Sequence, residues 1–151
     1  MSTTPASTNR PGPLRLLGIL LYDSLLLLSA LLVAAGLAVA LNGGEAIGAK
    51  NPFFFLYILA VAFVFYGWFW THGGQTLGMR AWQVYLISGN QTGINWQQAA
   101  LRFAVAIFSW LPMGLGFWWQ WLSPDKLSWH DIASGSELIL IKRDKNGQPK
   151  A

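Results

Sequence analysis

The chain has 151 residues, of which 54% are hydrophobic, 15% aromatic and only 11% charged, with a formal net charge of +4 and no cysteine. Soluble domains carry roughly 25% charged residues, so the composition excludes a disordered chain, a nucleic-acid-binding module built on a basic face and a disulfide scaffold. It points to a single membrane domain with lipid as its first partner, and it leaves little room for a separate catalytic module.

Residues 1–13 are rich in Ser, Thr and Pro and read as a disordered N-terminal tail. Leu16 to Leu41 then carries one charge, Asp23. A spanning helix needs about 20 apolar residues, so this stretch crosses a bilayer with some tilt. A secretory signal is disfavoured, because a signal core runs about 7 to 15 residues and lacks an acid. Asn42-Gly43-Gly44-Glu45 closes the helix, and Pro52 suits the first turn of the next. Phe53 to Trp70 is uncharged and long enough to span, with Tyr66, Trp68 and Trp70 at the end where aromatic rings sit among headgroups. The two segments are expected to form a transmembrane helical hairpin.

The second half is less regular. After the glycine-rich run Thr71 to Gly78 comes Trp82-Gln83-Val84-Tyr85-Leu86-Ile87, and near the C-terminus Glu137-Leu138-Ile139-Leu140-Ile141-Lys142 has the same β-rich character. These runs are either a short cytoplasmic two-stranded ribbon or irregular interfacial segments, since an isolated ribbon is marginal. Asn95 to Leu122 is apolar, but Arg102 lies inside it and Pro112, Gly114 and Gly116 interrupt it. It reads as a broken or re-entrant helical hairpin, with two short spans or one kinked span as the alternatives. Three crossings would carry Lys126, Lys142, Arg143, Lys145 and Lys150 to the side opposite Arg10, Arg15 and Arg80. The positive-inside tendency favours a turn at Pro112 and two cytoplasmic termini. The fold class is therefore an all-α membrane protein with a domain over 14–141 and a basic tail over 142–151. Its expected location is the bacterial inner membrane.

Asp23 is the most informative residue. It stands eight positions beyond Arg15, about 12 Å along a helix, well inside the hydrocarbon. Its helical stripe, Asp23, Leu27, Ala30, Ala34, Ala38, is rich in small residues that let helices approach closely. A carboxylate there is either a proton- or cation-binding group or a structural acid paired with an arginine. Arg15 reads as a snorkelling anchor that can also reach toward Asp23. Arg102 can pair with an acid or a lipid phosphate. His130 and Asp131, in Trp129-His130-Asp131, could relay protons. With no Cys and only His72 as a second histidine, no metal site is expected. No nucleophile–base pair stands in a recognisable context, so no enzymatic role and no cofactor are expected.

Taken together, Arg15-Leu16-Leu17-Gly18-Ile19-Leu20-Leu21-Tyr22-Asp23, Gly73-Gly74-Gln75-Thr76-Leu77-Gly78-Met79-Arg80, Ala100-Leu101-Arg102-Phe103 and Trp129-His130-Asp131 with Ser134-Gly135 resemble the RDD family of small bacterial membrane proteins. The resemblance runs over about residues 14 to 141. It implies that Arg15 is the arginine of the family name and that Asp23 and Asp131 are its two aspartates. Leu16 stands where many members have a second arginine, and Ile132 where a basic residue often follows the second aspartate. The resemblance implies a transport role, with sodium–proton antiport in some members, so Na⁺ and H⁺ are candidate partners. A non-transporting scaffold or accessory subunit, with Arg15, Asp23 and Asp131 as a structural ion-pair cluster, is the competing reading. One small protomer has few helices for alternating access, so antiport calls for a homo-oligomer.

Overall fold

The computed structural model describes residues 10–48, 50–89, 91–110, 119, 122 and 127–140. Two long helices lead: α1 over Pro13–Leu41, of 29 residues, and α2 over Pro52–Thr71, of 20. At about 1.5 Å per residue they measure about 43 and 30 Å, against a hydrocarbon core about 30 Å thick. Their surfaces are apolar on the outside as well. Leu17, Leu21, Leu25, Leu28, Leu32 and Leu37 are each more than half exposed. An unpartnered face of that size is an interaction surface rather than a water-facing one, and here it suits lipid.

The helix ends follow local chemistry. Gly12 precedes Pro13, whose fixed φ suits the first turn. Arg10, within the stretch expected to be a disordered tail, pairs with Glu137 at 3.3 Å. Asn51 caps α2, its side chain accepting from the amides of Phe53 and Phe54. The small-residue stripe of α1 packs as expected. Ala34 is buried, and its carbonyl accepts from the Tyr57 hydroxyl of α2 at 3.1 Å.

A short helix α3, Leu77–Ala81, follows, capped by Thr76, whose hydroxyl accepts from the Met79 amide. Strand β1, Val84–Ser88, comes next, then β2, Gln91–Thr92. Helix α4 covers Trp96–Trp110. Its start is held by a reciprocal cap: Asn95 Oδ1 accepts from the Gln98 amide and Gln98 Oε1 accepts from the Asn95 amide. Helix α5, Trp129–Ser134, and strand β3, Glu137–Leu140, end the described chain.

The two β-rich runs pair antiparallel, Val84 opposite Leu140 through Ile87 opposite Glu137. The ribbon has a further member, because β1 also pairs with β2 and the sheet order is β2-β1-β3. The irregular-segment alternative is thus overturned. The sheet is not isolated: Val84 and Leu86 are fully buried, one packing with Ile19 and Met79 and the other with Trp70, Ile94 and Ala99. Gly74 makes this docking possible. Its carbonyl accepts from the Leu86 amide at 2.7 Å, and a Cβ there would stand 2.5 Å from the Leu86 carbonyl oxygen. The turn proposed at Pro112, the rest of the apolar stretch to Leu122 as a continuous element and the basic tail from 142 lie outside the described residues.

Candidate functional site

Helices α1, α2, α4 and α5 surround a cavity of about 400 Å³ near the end of the hairpin that holds the α1 N-terminus. Asp23 lines it from α1, Tyr66 and Trp70 from α2, Thr76 from the α3 cap, Arg102 from α4, and His130 and Asp131 from α5.

Asp23 is 4% exposed. Its Oδ1 accepts from the Gly78 amide at 2.9 Å and its Oδ2 from the Thr76 hydroxyl. Both donors belong to the first turn of α3, so the loop folds back to present them to α1. Gly78 is the only residue type that fits here. A Cβ would lie 2.8 Å from Asp23 Oδ1 and 2.9 Å from the Ile19 carbonyl oxygen. Among the described residues, the ion pairs within 4.0 Å are Arg10 with Glu137 and Arg102 with Asp131, and the His130 ring, a cation only when protonated, lies 3.9 Å from Asp131. Asp23 belongs to none of them.

Asp131 is held differently. Its Oδ1 accepts from Arg102 Nη1 at 2.5 Å, and its Oδ2 accepts from both the amide and the hydroxyl of Ser128. Arg102 Nη1 also donates to Ser136 Oγ at 3.0 Å, and the guanidinium carbon lies 5.4 Å from the Trp70 ring centre. The pair is buried, its side chains 3% and 5% exposed. Burial works to raise the Asp131 carboxyl, but Arg102, His130 and the Ser128 and Arg102 hydrogen bonds outweigh it, and the group lies below the usual carboxylate range. His130 is pushed down to about 3, by burial first and by the Arg102 charge second, with Asp131 opposing. It is therefore neutral at physiological pH, with Nε2 3.0 Å from Ser128 Oγ. Because the Ser128 hydroxyl donates to Asp131, it accepts from Nε2–H, which fixes that tautomer.

The structure places four of the five residues singled out from the sequence together. Asp23, Arg102, His130 and Asp131 share the cavity. Arg15 does not join them: it donates to the Trp82 carbonyl at 3.3 Å. Eight residues amount to about 80° of rotation around a helix, so Arg15 and Asp23 face different neighbours. The cation beside Asp131 is Arg102, and the Arg15–Asp23–Asp131 ion-pair cluster of the competing reading is not formed among the described residues. His72 caps α2, exposed and stacked on Trp68 at 4.0 Å between ring centres. Thr76, Gly78, Ser128 and Ser136 were not foreseen as carboxylate and guanidinium partners. The visible signal was the capping pattern, since Thr and Ser each precede a helical turn. No group of three or more His, Cys, Asp or Glu suited to a metal stands among the described residues.

No curated protein and no solved structure matches the chain. A model of the RDD family matches residues 10–135, a span that runs from Arg10 through Asp131 and the glycine after α5. With two helices long and apolar enough to cross a bilayer, and with the aspartates of both motifs brought to one cavity, the chain belongs to the RDD family of membrane proteins.

Proposed function

We propose that the protein is a transport protein that exchanges protons for a monovalent cation at Asp23, with sodium the first cation to test. One observation carries this. Asp23 is a buried carboxylate within a spanning helix, on a cavity wall, held by neutral donors and without an ion pair among the described residues. A carboxylate so placed gains most from a proton or a cation. Thr76 suits either state. Its hydroxyl accepts from the Met79 amide and donates to the carboxylate, and it has a second lone pair for a protonated Asp23. The Gly78 amide serves both forms as a donor. Asp131, by contrast, already has its counter-ion, so it is read as the fixed charge of the site.

The test is sodium-driven proton movement in proteoliposomes loaded with a pH-sensitive dye. Wild type moves protons against a sodium gradient, and folded Asp23→Asn does not. Undiminished movement in Asp23→Asn removes the site assignment. No movement in wild type favours the second reading, a non-transporting scaffold or accessory subunit. The Arg102–Asp131–Ser128 network favours that reading, because its charges are closed on one another. A scaffold should co-purify stoichiometrically with a larger membrane partner.

The proposed setting is a homo-oligomer in the bacterial inner membrane with both termini cytoplasmic, and no enzymatic activity is assigned. Chemical cross-linking in native membranes tests the oligomer. A C-terminal reporter active only in the cytoplasm tests the topology, and periplasmic activity would overturn it.

A further inference from the structure

The cavity at Asp23 holds about 400 Å³. That is the scale of pockets for small organic ligands, about 300–1,000 Å³, and far more than a bare ion fills. Away from the charged groups the lining is hydrocarbon and aromatic, including Leu16, Leu27, Tyr66, Phe103 and Ile107. Hard metal cations are held by several oxygen ligands at once. Here the oxygens of Asp23 and Thr76 are already engaged with each other and with the amides of Gly78 and Met79.

The charges give the sign of the occupant. Arg102 cancels Asp131 across their hydrogen bond, and His130 is neutral in its buried setting. Among the described residues, the titratable and charged groups that share the cavity with Asp23 are Tyr66 on α2, Arg102 on α4, and His130 and Asp131 on α5; α3 and its cap contribute the Thr76 hydroxyl, the Gly78 amide and the apolar Met79. With Asp23 ionised, these described groups sum to one negative charge, that of Asp23. An occupant with one positive charge and an apolar body matches both the charge and the walls.

We infer that the cavity binds a monovalent organic cation, an ammonium on an aliphatic or aromatic body. Its nitrogen sits at the Asp23 carboxylate and its body lies against Tyr66, Phe103 and Ile107. This rests on the proton–cation exchange proposed above and names the cation. The aromatic rings of Tyr66 and Phe103 favour a cation further through their π faces.

The probe is labelled benzyltrimethylammonium, whose charge is permanent, so it cannot shed a proton and cross lipid. Binding to the purified full chain in detergent is measured by equilibrium dialysis, beside proton movement in proteoliposomes driven by the same probe and by sodium. Saturable binding is expected, weakened at least about tenfold by Asp23→Asn, weakened as the pH falls and Asp23 takes up a proton, and not displaced by equimolar sodium. Ala106→Phe, which narrows the cavity without touching a charge, is expected to weaken binding as well, and it carries the test if Asp23→Asn does not fold. Binding that is non-saturable, or equal in wild type and both variants, overturns the proposal as simple partitioning. Sodium-driven proton movement without probe binding also overturns it and leaves the exchange standing. Saturable, Asp23-dependent binding with no proton movement from either cation upholds the cavity assignment and overturns the exchange.

Discussion

The pair formed by Arg102 and Asp131 yields the sharpest quantitative expectation. Arg102→Met removes the cation and leaves Asp131 buried with only the Ser128 donors. Asp131→Asn leaves Arg102 buried and sets an amide that can satisfy either Ser128 or Arg102, but not both. Breaking a buried ion pair from one side costs about 3–5 kcal/mol, because a charge is stranded. In a chain of 151 residues, with about 2–4 °C of Tm per kcal/mol, each single variant should lose roughly 6–20 °C. The double variant strands no charge, so it should be no worse than the worse single, with a coupling of about 2–3 kcal/mol. Thermal unfolding in detergent, followed by emission from the nine tryptophans, measures all four corners of the cycle. High salt should leave the coupling intact, since a dry pair is poorly screened. Single-variant losses below about 1 kcal/mol, the size of a surface pair, or strictly additive losses, would refute the claim that this pair is closed and buried.

Three further expectations can be checked with the same preparation. His130 has its folded pKa lowered to about 3, so the unfolded chain binds a proton first as the pH drops below about 6.5. Stability should therefore fall on acidification from about pH 6.5 toward 3, at up to about 1.4 kcal/mol per pH unit from this group, and His130→Gln should flatten that slope. The Asp131 carboxyl is depressed as well, so its contribution is present above the normal carboxylate pKa and lost only below about pH 4, which leaves the range from about pH 6.5 to 4 to His130 alone. Gly78→Ala places a methyl 2.8 Å from Asp23 Oδ1 and 2.9 Å from a backbone carbonyl; about 1–3 kcal/mol of overpacking should appear as a lower Tm, and proton movement should fall with it. Arg15→Ala removes one 3.3 Å hydrogen bond at an exposed site and should cost less than about 1 kcal/mol, whereas a much larger loss would mean that Arg15 serves the charge cluster after all.

The spanning hairpin was legible because its signal is local: long apolar runs, Pro52 at a helix start, and alanines spaced four apart beside Asp23. The two β-rich runs could be seen, but their pairing could not be decided. What settles it is Gly74, whose close approach lets β1 dock under Trp70, and that contact joins residues distant in sequence. The acids were legible for the same reason that the helices were. A charge within an apolar run is conspicuous on its own. Their partners were not, because Arg102 and Asp131 meet only after α4 and α5 pack, and Thr76 and Gly78 reach Asp23 only after the loop folds back onto α1. The placement of Arg15 shows the same limit. It is near Asp23 in sequence, but the rotation of the helix carries it to Trp82.

The two aspartates differ in what their neighbours can supply at neutral pH. Asp131 sits at the third position of α5 and accepts from the Ser128 amide and hydroxyl, as an acid in the first helical turn should. Arg102 then neutralises it, and a proton arriving there would have to displace the guanidinium. Asp23 has a helix start aimed at it too, that of α3, but only its dipolar half: the Thr76 hydroxyl and the Gly78 amide. No full positive charge among the described residues accompanies them within ion-pair distance. Dipoles can hold a carboxylate in place without choosing between its charged and neutral forms as strongly as a counter-ion does. Supplying a cation from the protein should therefore disable Asp23 even where the fold survives. Thr76→Lys would test that directly. If the lysine pairs with Asp23, the site should come to resemble that of Asp131, with thermal stability largely retained and both probe binding and proton movement lost. Proton movement that persists in a folded Thr76→Lys protein would show that the absence of a counter-ion at Asp23 is not what makes it the exchanging group.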